Sequence, residues 1–446
     1  MNLLDSIDSA ELRPRYWAAF ASILTLLICE LFDFFVVGYL VSAIAPSWQL
    51  TFGQTTVMLL SAGVGAMVGA LVCGFIADRI GRKRVLLASA VLVCVGAGSI
   101  AFVPDGAWLL FALLRFIVGF GYGGAGATQF ALIAEYTPLR HRTLLTSSMG
   151  IPAGVGLLLA SVIVTSLFPV LGWRGTAALG FAPLLVVLAI AFLAPESPRW
   201  LLSAGRFEEA RIAAASMLRI PGDVVVGRVA SPKRSASLGD VFAEQRRFWL
   251  IVVIQVALGT VLSGVLLWGP TILAQLMRIS PTEAAAHFVG VSLSALLGRI
   301  AFTYLPHRIG RVPSGHLVGY CGAAMLACAA LFHTEQWLGW PLFFLFLVAG
   351  QFFYDGGYSN LTTYAAELYP VRLGGQAMGV SAASAGVGKI VGPLALGLIS
   401  GTGNLVTPQV TERAVQPAFL FLAGCCLLVG LCYSVLGVET SRTRLE

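Results

Sequence analysis

The feature that most constrains this chain is a series of about twelve apolar blocks, each roughly 20 or more residues long, within 446 residues. A helix of about 20 apolar residues crosses the ~30 Å hydrocarbon layer of a bilayer. Apolar residues make up 58% of the chain and charged residues 11%, whereas about 25% charged residues is typical of soluble proteins. The sequence therefore excludes a soluble enzyme and predicts an all-α membrane protein.

Hydropathy divides the chain into two groups of six predicted spans. The N-terminal bundle covers 16–194 and the C-terminal bundle covers 247–437. Between them, 195–246 is interpreted as a cytoplasmic linker with short amphipathic helices, and 1–15 and 438–446 are cytoplasmic ends. The predicted spans are 16–43, 53–77, 84–103, 107–135, 144–168, 174–194, 247–277, 282–304, 314–333, 338–366, 374–401 and 415–437.

The distribution of basic residues predicts the orientation. If the N-terminus is cytoplasmic, the inner segments hold 22 of the 28 Lys and Arg residues, and the outer loops hold only Arg174, Arg278 and Arg413. Basic residues concentrate on the cytoplasmic side of membrane proteins. We expect a multi-pass protein of the cytoplasmic (inner) membrane with both termini inside. The net charge of +7 then reflects topology, and no nucleic-acid partner is implied.

No sequence pattern indicates a cofactor. The eight cysteines all lie inside apolar blocks without disulfide or zinc spacing, so no metal is expected. The segment 386–389 (GVGK) lacks the first glycine and the following Ser or Thr of a phosphate loop, so no ATP is implied. The acidic first sixteen residues do not resemble a signal peptide. The sequence therefore predicts no cofactor.

Two loop sequences occur in both halves. Segment 78–82 (DRIGR) recurs as 307–311 (HRIGR) at an offset of 229 residues, and segment 134–140 (AEYTPLR) recurs as 366–372 (AELYPVR) at an offset of 232. Two matched loops at nearly one offset indicate two parallel six-helix repeats.

Three segments carry a family resemblance over essentially the whole chain. Segments 74–84 (GFIADRIGRKR) and 115–121 (RFIVGFG) resemble the loop and helix signatures of the major facilitator superfamily. Segment 195–202 (PESPRWLL) resembles its sugar-porter-like branch, which includes aromatic-acid/proton symporters, nicotinate carriers and organic-ion transporters. The resemblance implies the major facilitator fold, alternating access and a monomer. It narrows the branch and leaves the substrate open.

The loops at the predicted cytoplasmic face contain acids as well as bases, and topology alone does not require the acids. A network of weak ion pairs that forms in one state only biases a two-state equilibrium. His307 replaces Asp78 in the second copy, so that half of the gate is expected to be weaker or sensitive to pH. We assign cytoplasmic gating to Gly74, Asp78, Arg79, Gly81, Arg82, Glu135, Arg142, Glu196, Arg199, Arg308, Glu367 and Arg372.

Six ionisable residues fall inside predicted helices, where exposure to lipid would be costly. Glu30 and Asp33 are one turn apart on helix 1, and Arg115 on helix 4 lies at about the same depth. A carboxylate beside an arginine and a second carboxylate can gain or lose a proton as its partner changes. We predict proton coupling at Asp33, Glu30 and Arg115, which the family resemblance also implies for Asp33 and Arg115. A static buried ion pair is the alternative interpretation.

The second half contributes Asp355, Arg299 and Lys389. A substrate carboxylate needs an uncommitted cation. Arg299 is the first choice and Lys389 the second, because Asp355 could already neutralise Lys389; the opposite assignment stays open. Polar and aromatic side chains suited to a flat ring are predicted to line the cavity, namely Tyr39, Tyr122, Gln129, Gln255, Trp268, Gln351, Tyr354, Tyr358 and Asn360.

The sequence therefore predicts proton-coupled uptake of a small, aromatic, benzoate- or nicotinate-like monocarboxylate by alternating access. Protonation at Asp33 with Glu30 would free Arg115, and the anion would bind between the halves. A proton-coupled sugar carrier is one alternative, although helix 7 offers Gln255 alone where sugar porters are rich in Gln and Asn. An organic-cation carrier is another, if Glu30 or Asp33 stays open. No constellation suggests an enzyme.

Overall fold

The computed structural model describes residues 3–220, 238–369 and 374–440. Its long helices are α1 (Pro14–Ser47), α2 (Phe52–Ile80), α3 (Arg82–Ser99), α4 (Trp108–Tyr136), α5 (Ile151–Ala178), α6 (Leu184–Leu193), α7 (Gln245–Met277), α8 (Pro281–Ile309), α9 (Arg311–Leu331), α10 (Leu342–Glu367), α11 (Gly374–Ile399) and α12 (Pro408–Leu436). Within α9, a π-helical turn (Leu317–Cys321) separates Arg311–His316 from Gly322–Leu331.

Short elements connect these helices. Five short helices are Leu3–Ser9, Leu139–Ser148, Pro198–Ser203, Phe207–Met217 and Leu238–Ala243, and 3₁₀ turns cover Ile100–Phe102 and Leu179–Phe181. Strand Glu11–Leu12 pairs antiparallel with Leu218–Arg219, and strand Gln336–Trp337 with Trp340–Pro341.

Ten helical stretches among the described residues are long and apolar enough to cross a bilayer, which confirms the multi-pass prediction but not the count of twelve. Two regions account for the difference. The stretch Ile151–Leu193 is a single apolar run, although Gly172 breaks it with a φ of 63°. Helix α10 has 26 residues but includes Gln351 and Asp355, which make it less apolar.

Matched glycines shape the turns after α2 and α8. Gly81 has a φ of 112° and Gly310 a φ of 101°, in the region that favours glycine. A Cβ at Gly81 would lie 2.2 Å from the Glu196 carboxylate, and one at Gly310 would lie 2.6 Å from that of Glu439. Both turns therefore require glycine. We call the end of the bundle that holds these turns the basic end, and the other the opposite end.

The two halves meet at the opposite end. The Phe52 amide donates to the Asn404 carbonyl at 2.8 Å, the Gly53 amide to the Thr402 carbonyl at 3.0 Å, and the Val406 amide to the Leu50 carbonyl at 3.1 Å. The first two bonds satisfy N-terminal amides of α2 that no helical carbonyl can reach. The opposite end is therefore closed by main-chain hydrogen bonds between the halves.

At the basic end, the contacts are of another kind. Every ion pair found there among the described residues joins two residues of the same half or its adjoining segments. A Cβ added at Gly74 on α2 or at Gly386 on α11 would meet nothing within 4 Å. Among the described residues, hydrogen bonds between the halves therefore close the opposite end, and no ion pair joins the halves at the basic end.

The N-terminal segment packs against the first half. The side chains of Leu3 and Ile7 are fully buried, and Asp8 Oδ1 accepts from Arg142 at 2.8 Å and from Arg199 at 2.5 Å. The adjacent strand pairs with 218–219, the first part of the linker. Residues 3–13 therefore hold the linker against the first half.

Candidate functional site

The predicted meeting of α1 and α4 occurs at mid-helix. Arg115 Nη1 donates to Asp33 Oδ2 at 2.7 Å and to the Asp33 carbonyl at 3.4 Å. Arg115 is 1% exposed and Asp33 is 7% exposed. A charge-assisted hydrogen bond between buried ions offsets part of the cost of their desolvation. The Nε and Nη2 atoms of Arg115 have no partner among the described residues.

Glu30 lies one turn away and has a different partner. Both of its carboxylate oxygens accept from the Gln129 amide, at 3.1 and 3.0 Å. Glu30 is 2% exposed, and no cation pairs with it among the described residues. The sequence predicts Gln129 in the lining of the substrate cavity. In the structure its Nε2 donates to Glu30. Its Oε1 has no partner in the described part of the chain.

In the second half the pairing differs from the one we expected. Arg299 Nη2 donates to Asp355 Oδ1 at 2.5 Å, so Asp355 neutralises Arg299 and not Lys389. The side chain of Asp355 is 2% exposed and that of Arg299 12%. Our first choice of Arg299 for the substrate carboxylate rested on the opposite pairing, so that ranking is reversed.

Lys389 is the basic side chain that this arrangement leaves available. It lies on α11 where α11 meets α2, since a Cβ added at Gly63 would lie 3.5 Å from the Lys389 carbonyl. Its Nζ is 5.3 Å from the ring centroid of Phe34 and 5.3 Å from that of Tyr122. The two rings, both in the first half, stack at 5.9 Å. No carboxylate among the described residues pairs with Lys389.

Two predicted lining residues lie where α7 and α10 approach α11. Tyr358 on α10 is close to Arg299, since the Arg299 guanidinium carbon is 5.9 Å from the Tyr358 ring centroid. It is also close to α7, because a Cβ added at Gly259 would lie 3.3 Å from the Tyr358 hydroxyl. Gln255 on α7 donates to the Ser381 hydroxyl at 2.5 Å across to α11, and its Oε1 has no partner among the described residues.

Other predicted lining residues lie elsewhere. Trp268 stacks on Phe52 at 5.4 Å and donates to the Pro393 carbonyl, within the closed opposite end. Tyr39 packs edge-on against Phe288 of the other half.

Three more belong to α10. Asn360 donates to the Arg311 carbonyl and accepts from its side chain, so it belongs to the basic end. Tyr354 lies on the side of α10 that packs on α9, because a Cβ added at Gly322 on α9 would lie 3.8 Å from the Tyr354 Cβ. Gln351 is fully buried, and its amide has no partner among the described residues. The sequence predicts how deep each of these residues lies along α10. It does not predict which neighbouring helix each side chain faces.

The predicted gating residues of the first half form one cluster. Arg82 pairs with Asp78 at 2.5 Å and with Glu135 at 3.4 Å. Glu196 accepts from the Lys83 amide at 2.9 Å, and Ser197 donates to Glu135. Arg142 and Arg199 pair with Asp8, outside the set predicted from the sequence. Gly74 and Arg79 contribute no ion pair to it; Arg79 instead covers the Phe75 ring at 4.1 Å.

A second cluster repeats this pattern in the other half. Arg311 donates to Glu367 at 2.7 and 3.1 Å, as Arg82 does to Glu135. Glu439 accepts from the Arg311 amide at 2.9 Å, and Thr440 donates to Glu367 at 2.7 Å. Arg308 is exposed, and Arg372 lies outside the described residues. The matched pairs support the repeat read from the loops.

The sequence reasoning missed Arg311, Glu439 and Thr440. A signal was available, because 195–199 (PESPR) after α6 resembles 438–442 (VETSR) after α12. It also missed Asp8, which nothing in the local sequence distinguishes, and Phe34, whose place beside Asp33 was the only cue.

Comparisons with known proteins identify related membrane transporters. The family model described as "Sugar (and other) transporter" matches residues 18–446. The niacin transporter NiaP of Acinetobacter baylyi is 26% identical over 92% of this chain and 91% of its own. The 4-hydroxybenzoate transporter PcaK of Pseudomonas aeruginosa is 26% identical over 94% of each chain. The xylose transporter XylE from E. coli, in a partially occluded inward open conformation, has the same fold, with a TM-score of 0.71, 17% identity, and coverage of 97% of this chain and all of that one.

Proposed function

The chain belongs to the sugar (and other) transporter family of the major facilitator superfamily, and within it we propose a proton-coupled importer of a small aromatic monocarboxylate. It is a multi-pass membrane transporter and not an enzyme. The observation that carries the substrate proposal is Lys389, a cation inside the bundle with two aromatic rings and no carboxylate partner among the described residues.

The charge balance supports an anionic substrate. Arg115 is paired with Asp33 and Arg299 with Asp355, so an anion bound to Lys389 would complete the compensation of the intramembrane bases. A charged group inside the membrane is costly unless it is paired. A carboxylate at Lys389 would gain a charge-assisted hydrogen bond. An organic cation would find Lys389 repulsive, and a sugar would leave it uncompensated.

The surrounding rings support an aromatic substrate. Phe34 and Tyr122 of the first half lie within cation–π distance of Lys389. In the second half, Tyr358 lies against α7, and Gln255 of α7 donates to Ser381 of α11. Offset stacking of aromatic rings is worth about 0.5–1.5 kcal/mol beyond the area buried. Niacin and 4-hydroxybenzoate, named for the two relatives, each combine a ring with one carboxylate. A ligand that binds both halves is what alternating access requires.

We further propose that the protein has twelve spans with both termini cytoplasmic, so that the basic end faces the cytoplasm. The closed opposite end then makes this an inward-open state. Proton coupling would use the carboxylates on α1 with Arg115, and the two basic-end clusters would exchange partners when the protein closes to the cytoplasm. The carrier is expected to act as a monomer with no cofactor besides the proton gradient.

Uptake into proteoliposomes tests this function. The purified protein is reconstituted, and labelled nicotinate, 4-hydroxybenzoate, a hexose and a quaternary ammonium are offered with and without an inward proton gradient. We expect accumulation of an aromatic acid that depends on the gradient and collapses with a protonophore. Empty vesicles control for the diffusion of protonated acids. Accumulation of only the hexose or only the organic cation would replace the proposed substrate class.

A further inference from the structure

The two carboxylates on α1 have partners of different chemistry. Asp33 pairs with the guanidinium of Arg115 at 2.7 Å. Glu30 accepts hydrogen bonds from the neutral amide of Gln129 and pairs with no cation among the described residues, although it is as deeply buried as Asp33. Burial penalises a charged carboxylate, and an ion pair compensates for that penalty far better than a neutral amide does.

We infer that Glu30 carries the coupled proton, while the Asp33 and Arg115 ion pair stays formed through the transport cycle. This inference rests on the proposed proton coupling and deepens it. It also departs from the sequence-based expectation that protonation at Asp33 frees Arg115. Releasing Arg115 would strand a guanidinium that is 1% exposed, which is strongly unfavourable.

The Gln129 amide supports this assignment. Its nitrogen donates to Glu30, while its Oε1 is buried and has no partner among the described residues. An unmatched buried acceptor is unfavourable. A protonated Glu30 has one O–H donor and one carbonyl acceptor, so it can pair with both atoms of the amide at once. Gln129 is thus a positioning residue that offers a second hydrogen bond only to the acid.

The surroundings of Glu30 contain few other titratable groups. Those that face it are Cys29 and Asp33 on α1 and Cys94 on α3, with Arg115 on α4 reaching Asp33. Helix α6 and residues 151–173 of α5, which pack on α1, contain no Asp, Glu, His, Lys or Arg. Release of the proton breaks one O–H bond at Glu30 and transfers the proton to water that enters from the basic end.

Infrared difference spectroscopy on the purified full-length protein tests the inference without any substrate. Spectra stepped upward from about pH 6, above the range in which exposed carboxylic acids titrate, should contain one carboxylic-acid carbonyl band that disappears as the pH rises. We expect Glu30→Gln to lack this band and Glu30→Asp to shift its frequency, which assigns it even if the first variant folds poorly. The matched control is Glu412→Gln, the same change at an exposed carboxylate of α12 outside the site, which should keep the band.

Transport supplies the second readout. In proteoliposomes, Glu30→Gln should exchange substrate across the membrane but lose accumulation driven by the proton gradient, whereas Glu412→Gln should retain accumulation. A titrating band that persists in Glu30→Gln, no such band in the wild type, or accumulation by Glu30→Gln would overturn the inference. If the wild-type protein accumulates no aromatic acid while the band still assigns to Glu30, the proposed function fails and the proton assignment stands.

Discussion

At the residue scale, the structure turns a list of intramembrane charges into pairs. The Asp33 and Arg115 pair could be predicted, because both side chains lie at the same depth on helices with known direction. The choice between Arg299 and Lys389 could not, because depth does not determine which face of a helix meets which neighbour. Helix α8 packs on α10 and presents Arg299 to Asp355, while α11 meets α2 and presents Lys389 to the first half.

The rings beside Lys389 should contribute to affinity. Replacing Tyr122 with Leu removes a ring 5.3 Å from Nζ, and we expect substrate binding to weaken by about 1 kcal/mol, roughly fivefold in Kd. Isothermal titration calorimetry with an aromatic acid measures the change. The matched control is Tyr354→Leu, since Tyr354 packs on α9; if both variants lose affinity equally, the site lies elsewhere or is diffuse.

At the scale of elements, glycine spacing explains how closely α2 and α4 approach. A Cβ at Gly119 on α4 would lie 2.0 Å from the Ala62 carbonyl, and one at Gly69 on α2 would lie 2.0 Å from the Phe120 carbonyl. Small residues permit such contact between membrane helices.

Helix positions follow from hydropathy, but α5 begins at Ile151 after a separate helix, and α12 begins at Pro408, seven residues before the predicted start. Polar helix ends carry no hydropathy signal.

Substitution at this contact should destabilise the first half. Gly119→Val places a side chain against a backbone carbonyl that cannot move independently, and overpacking of this kind costs about 1–3 kcal/mol. We expect a lower melting temperature in detergent, followed by the loss of monodisperse protein in size-exclusion chromatography. Gly126→Ala is the control, since its Cβ would meet nothing within 4 Å; equal destabilisation by both would contradict the packing argument.

At the scale of the whole molecule, the two ends are closed by different means. Main-chain hydrogen bonds join the halves at the opposite end, whereas ion pairs within each half cap the basic end. The cluster around Arg82 could be predicted from its loop. The matched loops align Arg311 with Arg82, but the predicted gating residue of the second loop is Arg308. The opposite-end closure could not be predicted, because residues 50–53 and 402–406 share no motif and interact through their backbones.

A cross-link across the opposite end should trap this state. Thr51 and Leu405 form an isolated antiparallel bridge, and paired positions of that kind lie within the Cα separation that a disulfide accepts. We expect Thr51→Cys with Leu405→Cys, on a background without the native cysteines, to lose transport on oxidation and recover it on reduction. Each single cysteine variant is the control. Full transport by the oxidised double variant would show that this closure does not open during the cycle.

The central claim is that Lys389 binds a substrate carboxylate, and paired ligands test it most directly. Nicotinate with nicotinamide, and 4-hydroxybenzoate with 4-hydroxybenzamide, are titrated into the wild type, Lys389→Met and Lys389→Arg. The account predicts that the wild type binds an acid and not its amide, that Lys389→Met loses about 2 kcal/mol or roughly 30-fold in Kd, and that Lys389→Arg retains most of the preference. Undiminished acid binding by Lys389→Met, or equal binding of acid and amide by the wild type, would contradict it.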